Sequence, residues 1–119
     1  MMLEKAWAKV KGNYLMADGG FMENGIRSLI GSPVFHYRTE NEDVDATFEL
    51  MKTANTLNYV MGAGTDGTAD SNNNICGIAM SHAYSVIAAF ELKTGATVDH
   101  KMYMIRNPWG TANFNRTWN

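Results

Sequence analysis

Between Leu3 and Lys11 the apolar residues Leu3, Ala6, Trp7 and Val10 recur at helical spacing, with Lys5, Lys9 and Lys11 on the other faces. That is the pattern of an amphipathic helix, and Gly12 is its stop signal. After Gly19-Gly20, the residues Met22, Ile26, Leu29 and Ile30 again fall about one helical turn apart before Gly31-Ser32-Pro33. A second, shorter helix is therefore predicted from Phe21 to Ile30. Val34 to Arg38 is short and β-prone. The acidic stretch Glu40 to Asp45 reads as a solvated loop running into a third helix, from about Val44 to Asn55.

Beyond that point the periodicity changes. Leu57 to Ala63 is a strand candidate, and Gly64 to Asn74, dominated by Gly, Asp, Ser and Asn, is expected to be a loop. It is long for a connection in a small domain, and loops of that kind often serve as binding loops or lids. His82 to Leu92 is rich in Val, Ile, Tyr and Phe, and Lys93-Thr94-Gly95 supplies a turn. From Val98 to Arg106, Met102, Met104 and Arg106 alternate with Tyr103 and Ile105. These two runs predict an antiparallel hairpin. Helices first and strands later indicate an α+β fold, with helices packed on an antiparallel sheet.

Composition narrows the function classes. A length of 119 residues with 45% hydrophobic and 11% aromatic side chains suits one domain with a modest core. The formal charge is −2, with lysines and arginines scattered along the chain, so no basic stripe suggests a nucleic-acid partner. No apolar run approaches the roughly 20 residues of a membrane span. The single cysteine, Cys76, cannot form an internal disulfide, which fits a reducing, cytoplasmic setting. The nine methionines read as flexible core filler. Met1-Met2 runs straight into a helical pattern and Thr117-Trp118-Asn119 ends the sequence without a polar tail. The expectation is a piece of a longer protein.

Two short segments carry candidate chemistry: Ser81-His82-Ala83-Tyr84-Ser85-Val86 and Ile105-Arg106-Asn107-Pro108-Trp109-Gly110. A hairpin brings these ends together. An asparagine amide oxygen beside a histidine accepts an imidazole N–H and so sets tautomer and ring angle, while the other ring nitrogen stays free to face a nucleophile. A tryptophan two residues past the asparagine can cover that bond. A neutral orienting group suits a cysteine protease, whose resting state already holds a thiolate–imidazolium pair. Singly, each residue has a plainer reading: a strand histidine is usually structural, Asn-Pro usually marks a turn, and tryptophan usually belongs to a core.

Taken jointly, His82-Ala83-Tyr84-Ser85-Val86 and Arg106-Asn107-Pro108-Trp109-Gly110 resemble the signature around the catalytic histidine and asparagine of the calpain family. Leu3-Glu4-Lys5-Ala6-Trp7-Ala8-Lys9 with Gly12 and Tyr14 resembles the helix that opens the second protease subdomain of calpains, and Gly19-Gly20 with Gly25 resembles the glycine turn that follows it. The resemblance implies that residues 1–119 are the C-terminal half of a papain-like cysteine protease core. Its partner would be an upstream subdomain holding the cysteine and the oxyanion-hole glutamine, and its substrates would be proteins.

Position by position, the resemblance makes His82 the general base and acid, Asn107 its orienter and Trp109 the shield over their contact. It places the backbone of Gly20 and of Ser81 beside the substrate, although calpains commonly carry Gly where this chain has Ser81. The loop Gly64 to Asn74 corresponds to a segment that gates the cleft. Calpain cores also bind calcium in each subdomain, but the matching position here is the uncharged Asn113 and the sequence ends before the remaining ligands. A calcium site in this chain is expected to be weak or absent, leaving calcium to the full core. Cys76 lies between a polar loop and a strand, without the electropositive setting of a reactive thiol. With His36, His82 and His100 it shows no metal-ligand spacing. The rival readings are a non-catalytic calpain-like scaffold, decided by the residue aligned with the upstream cysteine, and a generic α+β binding module in which the His-Asn pair is coincidental.

Overall fold

The computed structural model of the chain describes residues 2–110, and Asn113 lies outside them. Among the described residues, three α-helices precede a three-stranded antiparallel sheet: α1 Met2–Lys11, α2 Met22–Ile30, α3 Val44–Thr56, β1 Met61–Gly64, β2 Ala83–Thr94 and β3 Thr97–Arg106, in sheet order β1-β2-β3. The fold is α+β. The chain divides into two compact units, Met1–Tyr37 and Arg38–Asn119.

In the first unit, α1 buries Ala8 and sets the Lys11 ammonium over the Trp7 ring, one turn earlier, at 5.0 Å. Gly31 stops α2 in a left-handed conformation, φ 72°, from which its N–H bonds the Arg27 carbonyl at 2.9 Å. A side chain with a Cβ resists that geometry, so glycine is the natural terminator. The β-prone run Val34 to Arg38 forms no strand.

The second unit is built on β2. Asp43 caps α3 by accepting the Ala46 N–H at 2.8 Å. One face of the helix then meets one face of the sheet. Phe48, 2% exposed, packs edge-on to Tyr103 with ring centroids 5.5 Å apart. Strict alternation along β2 would turn every second residue to the helix, but the register shifts between Val86 and Ala88. That bulge keeps Tyr84 and Val86 on the same face as Ala89 and Glu91, and Tyr84, Val86 and Ala89 are all buried.

Two ion pairs fix the helix to the sheet. Lys101 Nζ reaches Asp45 at 2.8 Å. The Glu91 carboxylate, with its side chain only 11% exposed, lies 2.8 Å from Lys52 Nζ and 2.9 Å from Lys93 Nζ. Hydrogen bonds from Lys52, then Lys93, draw the Glu91 carboxyl down to about 2.

One expectation for this unit requires correction and a second holds with detail added. The strand placed over Leu57 to Ala63 begins only at Met61, because α3 continues to Thr56 and the chain then turns, with Asn58 at φ 56°. The segment expected as a loop, Gly64 to Asn74, is one over residues 65–72. Gly64 belongs to β1, and Asn73 forms an isolated antiparallel bridge with Ala79. Asn74 closes the intervening turn by accepting the N–H groups of Cys76 and Ile78 through its side chain, each at 2.9 Å.

Candidate active site

His82 is the residue immediately before β2 and Asn107 the residue immediately after β3. Antiparallel pairing places those two ends side by side, with Ser85 opposite Arg106. His82 Nε2 stands 2.9 Å from Asn107 Oδ1. The same oxygen accepts the Trp109 backbone N–H at 3.0 Å. A backbone N–H can only donate, so this end of the carboxamide is the acceptor end, and Nε2 must carry the proton shared with it. The neutral imidazole is thereby held as the Nε2–H tautomer, leaving the Nδ1 lone pair as its basic site.

Aromatic rings restrict the imidazole further. Trp109 lies against it with ring centroids 4.3 Å apart at 46°, and Tyr84 meets it edge-on at 4.9 Å and 89°. Trp109 itself remains 40% exposed, whereas Tyr84 is buried. The tight Asn107-Pro108-Trp109-Gly110 turn explains how Trp109 serves both purposes: its N–H folds back onto the asparagine while its ring reaches the histidine.

The main chain leading into His82 is also constrained. Ser81 takes a left-handed φ of 48°, unusual for a residue other than glycine, and its N–H bonds the Asp66 carbonyl at 3.2 Å. Gly67, at φ 144°, comes so close that a Cβ there would stand 2.7 Å from Met80 Cβ. Only glycine permits that approach.

Thr65 bonds both main-chain polar groups of His82: its Oγ1 accepts the His82 N–H at 3.1 Å and its N–H donates to the His82 carbonyl at 2.9 Å. Sequence reasoning did not single out Thr65. The available signal was the β1–β2 register, since one step beyond the Gly64↔Ala83 pair Thr65 comes opposite His82.

The remaining candidates have other surroundings. Gly20 belongs to the first unit, with φ 135° and open space where a Cβ would lie. It lines an open hollow of about 410 Å³ with Leu3, Trp7, Phe21 and Leu29 among its walls. Cys76 is exposed, in the turn closed by Asn74. No three His, Cys, Asp or Glu side chains converge on a metal position among the described residues.

Comparison with known proteins adds to this geometry. A family model described as calpain family cysteine protease matches residues 1–119. The chain is 28% identical over 121 residues to the calpain-2 catalytic subunit of Homo sapiens, covering 99% of this chain and 17% of that protein. It is 27% identical over 124 residues to the calpain-type cysteine protease ADL1 of Oryza sativa subsp. japonica, covering 98% of this chain and 6% of the relative. The calpain-type cysteine protease DEK1 of Zea mays gives the same identity over the same length and the same coverage. The chain thus spans a small part of the curated relatives it matches.

Proposed function

The chain belongs to the calpain family of cysteine proteases, and from that premise we propose that it is the histidine-bearing half of an endopeptidase core. In this reading it hydrolyses peptide bonds of cytoplasmic proteins only when joined to an upstream subdomain carrying the cysteine. The observation that carries the proposal is the Asn107 oxygen, which accepts one hydrogen bond from Trp109 N–H and one from His82 Nε2–H. An imidazole fixed in that tautomer has one remaining nitrogen, Nδ1, and that nitrogen is the base.

The chemistry follows from that assignment. Nδ1 takes the proton of the cysteine thiol supplied by the upstream subdomain, and the resulting thiolate attacks the scissile carbonyl carbon. As the tetrahedral intermediate collapses, Nδ1–H gives its proton to the departing amine and an acyl-thioester remains. Water then loses a proton to Nδ1 as its oxygen attacks the thioester, and the thiolate leaves to restore the starting pair. Throughout, Nε2–H stays bonded to Asn107. Because the asparagine is neutral, it orients the imidazolium without adding a charge to compete with the thiolate.

Trp109 keeps water from one side of the imidazole, and Ser81 offers its backbone carbonyl to the substrate chain. No step above depends on calcium.

The test is peptide hydrolysis by this chain alone and by the chain joined to its own upstream subdomain. Turnover is expected only from the joined core. Thiol-sensitive turnover by the chain alone would contradict the half-site reading, and a folded joined core that stays inactive with calcium present would favour a scaffold.

A further inference from the structure

Resting on the reading of His82 as the base, we infer that Thr65 is a positioning residue for catalysis, whose hydroxyl sets the main chain of the base. A threonine hydroxyl has one proton to give. It goes to the Ala79 carbonyl, 2.8 Å away, because the competing His82 carbonyl is more distant, at 3.3 Å, and already takes the Thr65 N–H at 2.9 Å. The hydroxyl oxygen is then free to accept from the His82 N–H at 3.1 Å. One side chain thus links the amide of the base to a carbonyl three residues upstream. That carbonyl belongs to buried Ala79 and is also approached by the Tyr84 hydroxyl at 3.3 Å.

The position of His82 makes this link consequential. The pairing of β2 with β3 ends at Ser85↔Arg106, so β3 does not hold the histidine backbone. Just upstream, Ser81 occupies its left-handed conformation and needs external support. That support comes from the same short run as Thr65: the Asp66 carbonyl bonds Ser81 N–H, and Gly67 allows close approach to Met80. Asn107 fixes the far end of the imidazole through Nε2. Thr65 fixes where the ring begins. A ring held at one end only can pivot about that hydrogen bond, and a displacement near 1 Å at a reacting atom can cost about 100-fold in rate.

The experiment compares Thr65→Val, which keeps the shape and removes the hydroxyl, with Thr65→Ser, which keeps the hydroxyl. Both are measured in the complete protein beside His82→Ala. Thr65→Val is expected to lower kcat about 10- to 100-fold with KM changed less than about 3-fold, and Thr65→Ser to stay within about 3-fold of the unaltered protein. A Thr65→Val protein with unchanged kcat, or one changed only in KM, would overturn the inference while an inactive His82→Ala left the base assignment standing. A fully active His82→Ala would instead remove that assignment.

Should Thr65→Val fail to fold, Thr65→Ala replaces it, together with hydrogen exchange at the His82 amide in the unaltered protein. Protection of at least about 100-fold over an open loop supports the link, and exchange at the open-loop rate overturns it.

Discussion

The carboxamide oxygen of Asn107 lies 2.9 Å from Nε2 of His82, between residues separated by the whole length of the β2–β3 hairpin. Because that oxygen also accepts the Trp109 N–H, the asparagine cannot rotate without losing two bonds. In the joined core, Asn107→Ala should lower kcat/KM about 10- to 100-fold, less than His82→Ala, since the base survives but swings freely. Steady-state kinetics on a short peptide would decide. Equal losses for the two substitutions would mean that Asn107 does more than orient the ring.

The attachment of α3 to the sheet should depend on acid. Glu91, held between Lys52 and Lys93, titrates in the folded chain at about 2, below the ordinary carboxylate value of 4.5. A depressed carboxyl contributes stability that is fully present above its unfolded value and is lost as pH falls through its folded value. Urea unfolding should therefore show stability falling between about pH 4.5 and pH 2, with a shallower fall for Glu91→Gln. Identical pH dependence for the two chains would remove this role from Glu91.

Phe48 is the most completely shielded large side chain of the helix–sheet layer. Phe48→Ala removes a fully buried ring and its edge-on contact with Tyr103, and should destabilise the chain by about 3 kcal/mol. For a small core that is a large share of the total. A loss below about 1 kcal/mol in denaturant unfolding would show that the layer closes over the cavity.

Gly67→Ala should be destabilising for two separate reasons. Its φ of 144° disfavours any Cβ, and that Cβ would stand 2.7 Å from Met80 Cβ, so one of the two backbones must move. A loss of about 2 kcal/mol is expected, with reduced turnover of the joined core because the displaced residues lead directly into His82. Unchanged melting and turnover would show that the approach is not needed.

Cys76 should be dispensable. It sits exposed in a turn whose geometry comes from the Asn74 side chain and its own backbone N–H, so the thiol holds nothing in place. Cys76→Ala in the joined core should retain full turnover and remain fully sensitive to thiol-directed inactivators, because the proposed function places the cysteine they modify upstream. Loss of that sensitivity would reassign the nucleophile.

Much of this architecture is legible in local pattern. Trp7, Ile26 and Phe48 belong to helical stretches whose ends are marked by Gly12, Gly31 and Asp43, residues with direct effects on backbone geometry. Alternation on either side of a Thr-Gly turn marks the hairpin, and the hairpin implies that His82 and Asn107 come together. What local pattern cannot supply depends on partners distant in sequence. The strand begins at Met61 because only from there does it pair with β2, opposite Val86.

Val34 to Arg38 has β-branched and aromatic residues but no paired strand among the described residues, and propensity without a partner does not make a sheet. The polar segment after β1 is ordered by the Asn74 and Thr65 side chains, and composition alone gives no sign of those bonds. The bulge at Ile87 restores burial of Ala89 in a strand whose simple alternation would have exposed it.

The most direct measurement is the acylation rate of the joined core, unaltered and carrying His82→Ala, followed in a single turnover on a peptide ester. On the proposed reading, with Asn107 fixing the Nε2–H tautomer, His82 Nδ1 takes the thiol proton. The substitution should lower acylation by at least about 1000-fold while the protein stays folded, as loss of a catalytic base does. A folded His82→Ala core that acylates within about 10-fold of the unaltered rate would contradict the assignment of His82 as the base.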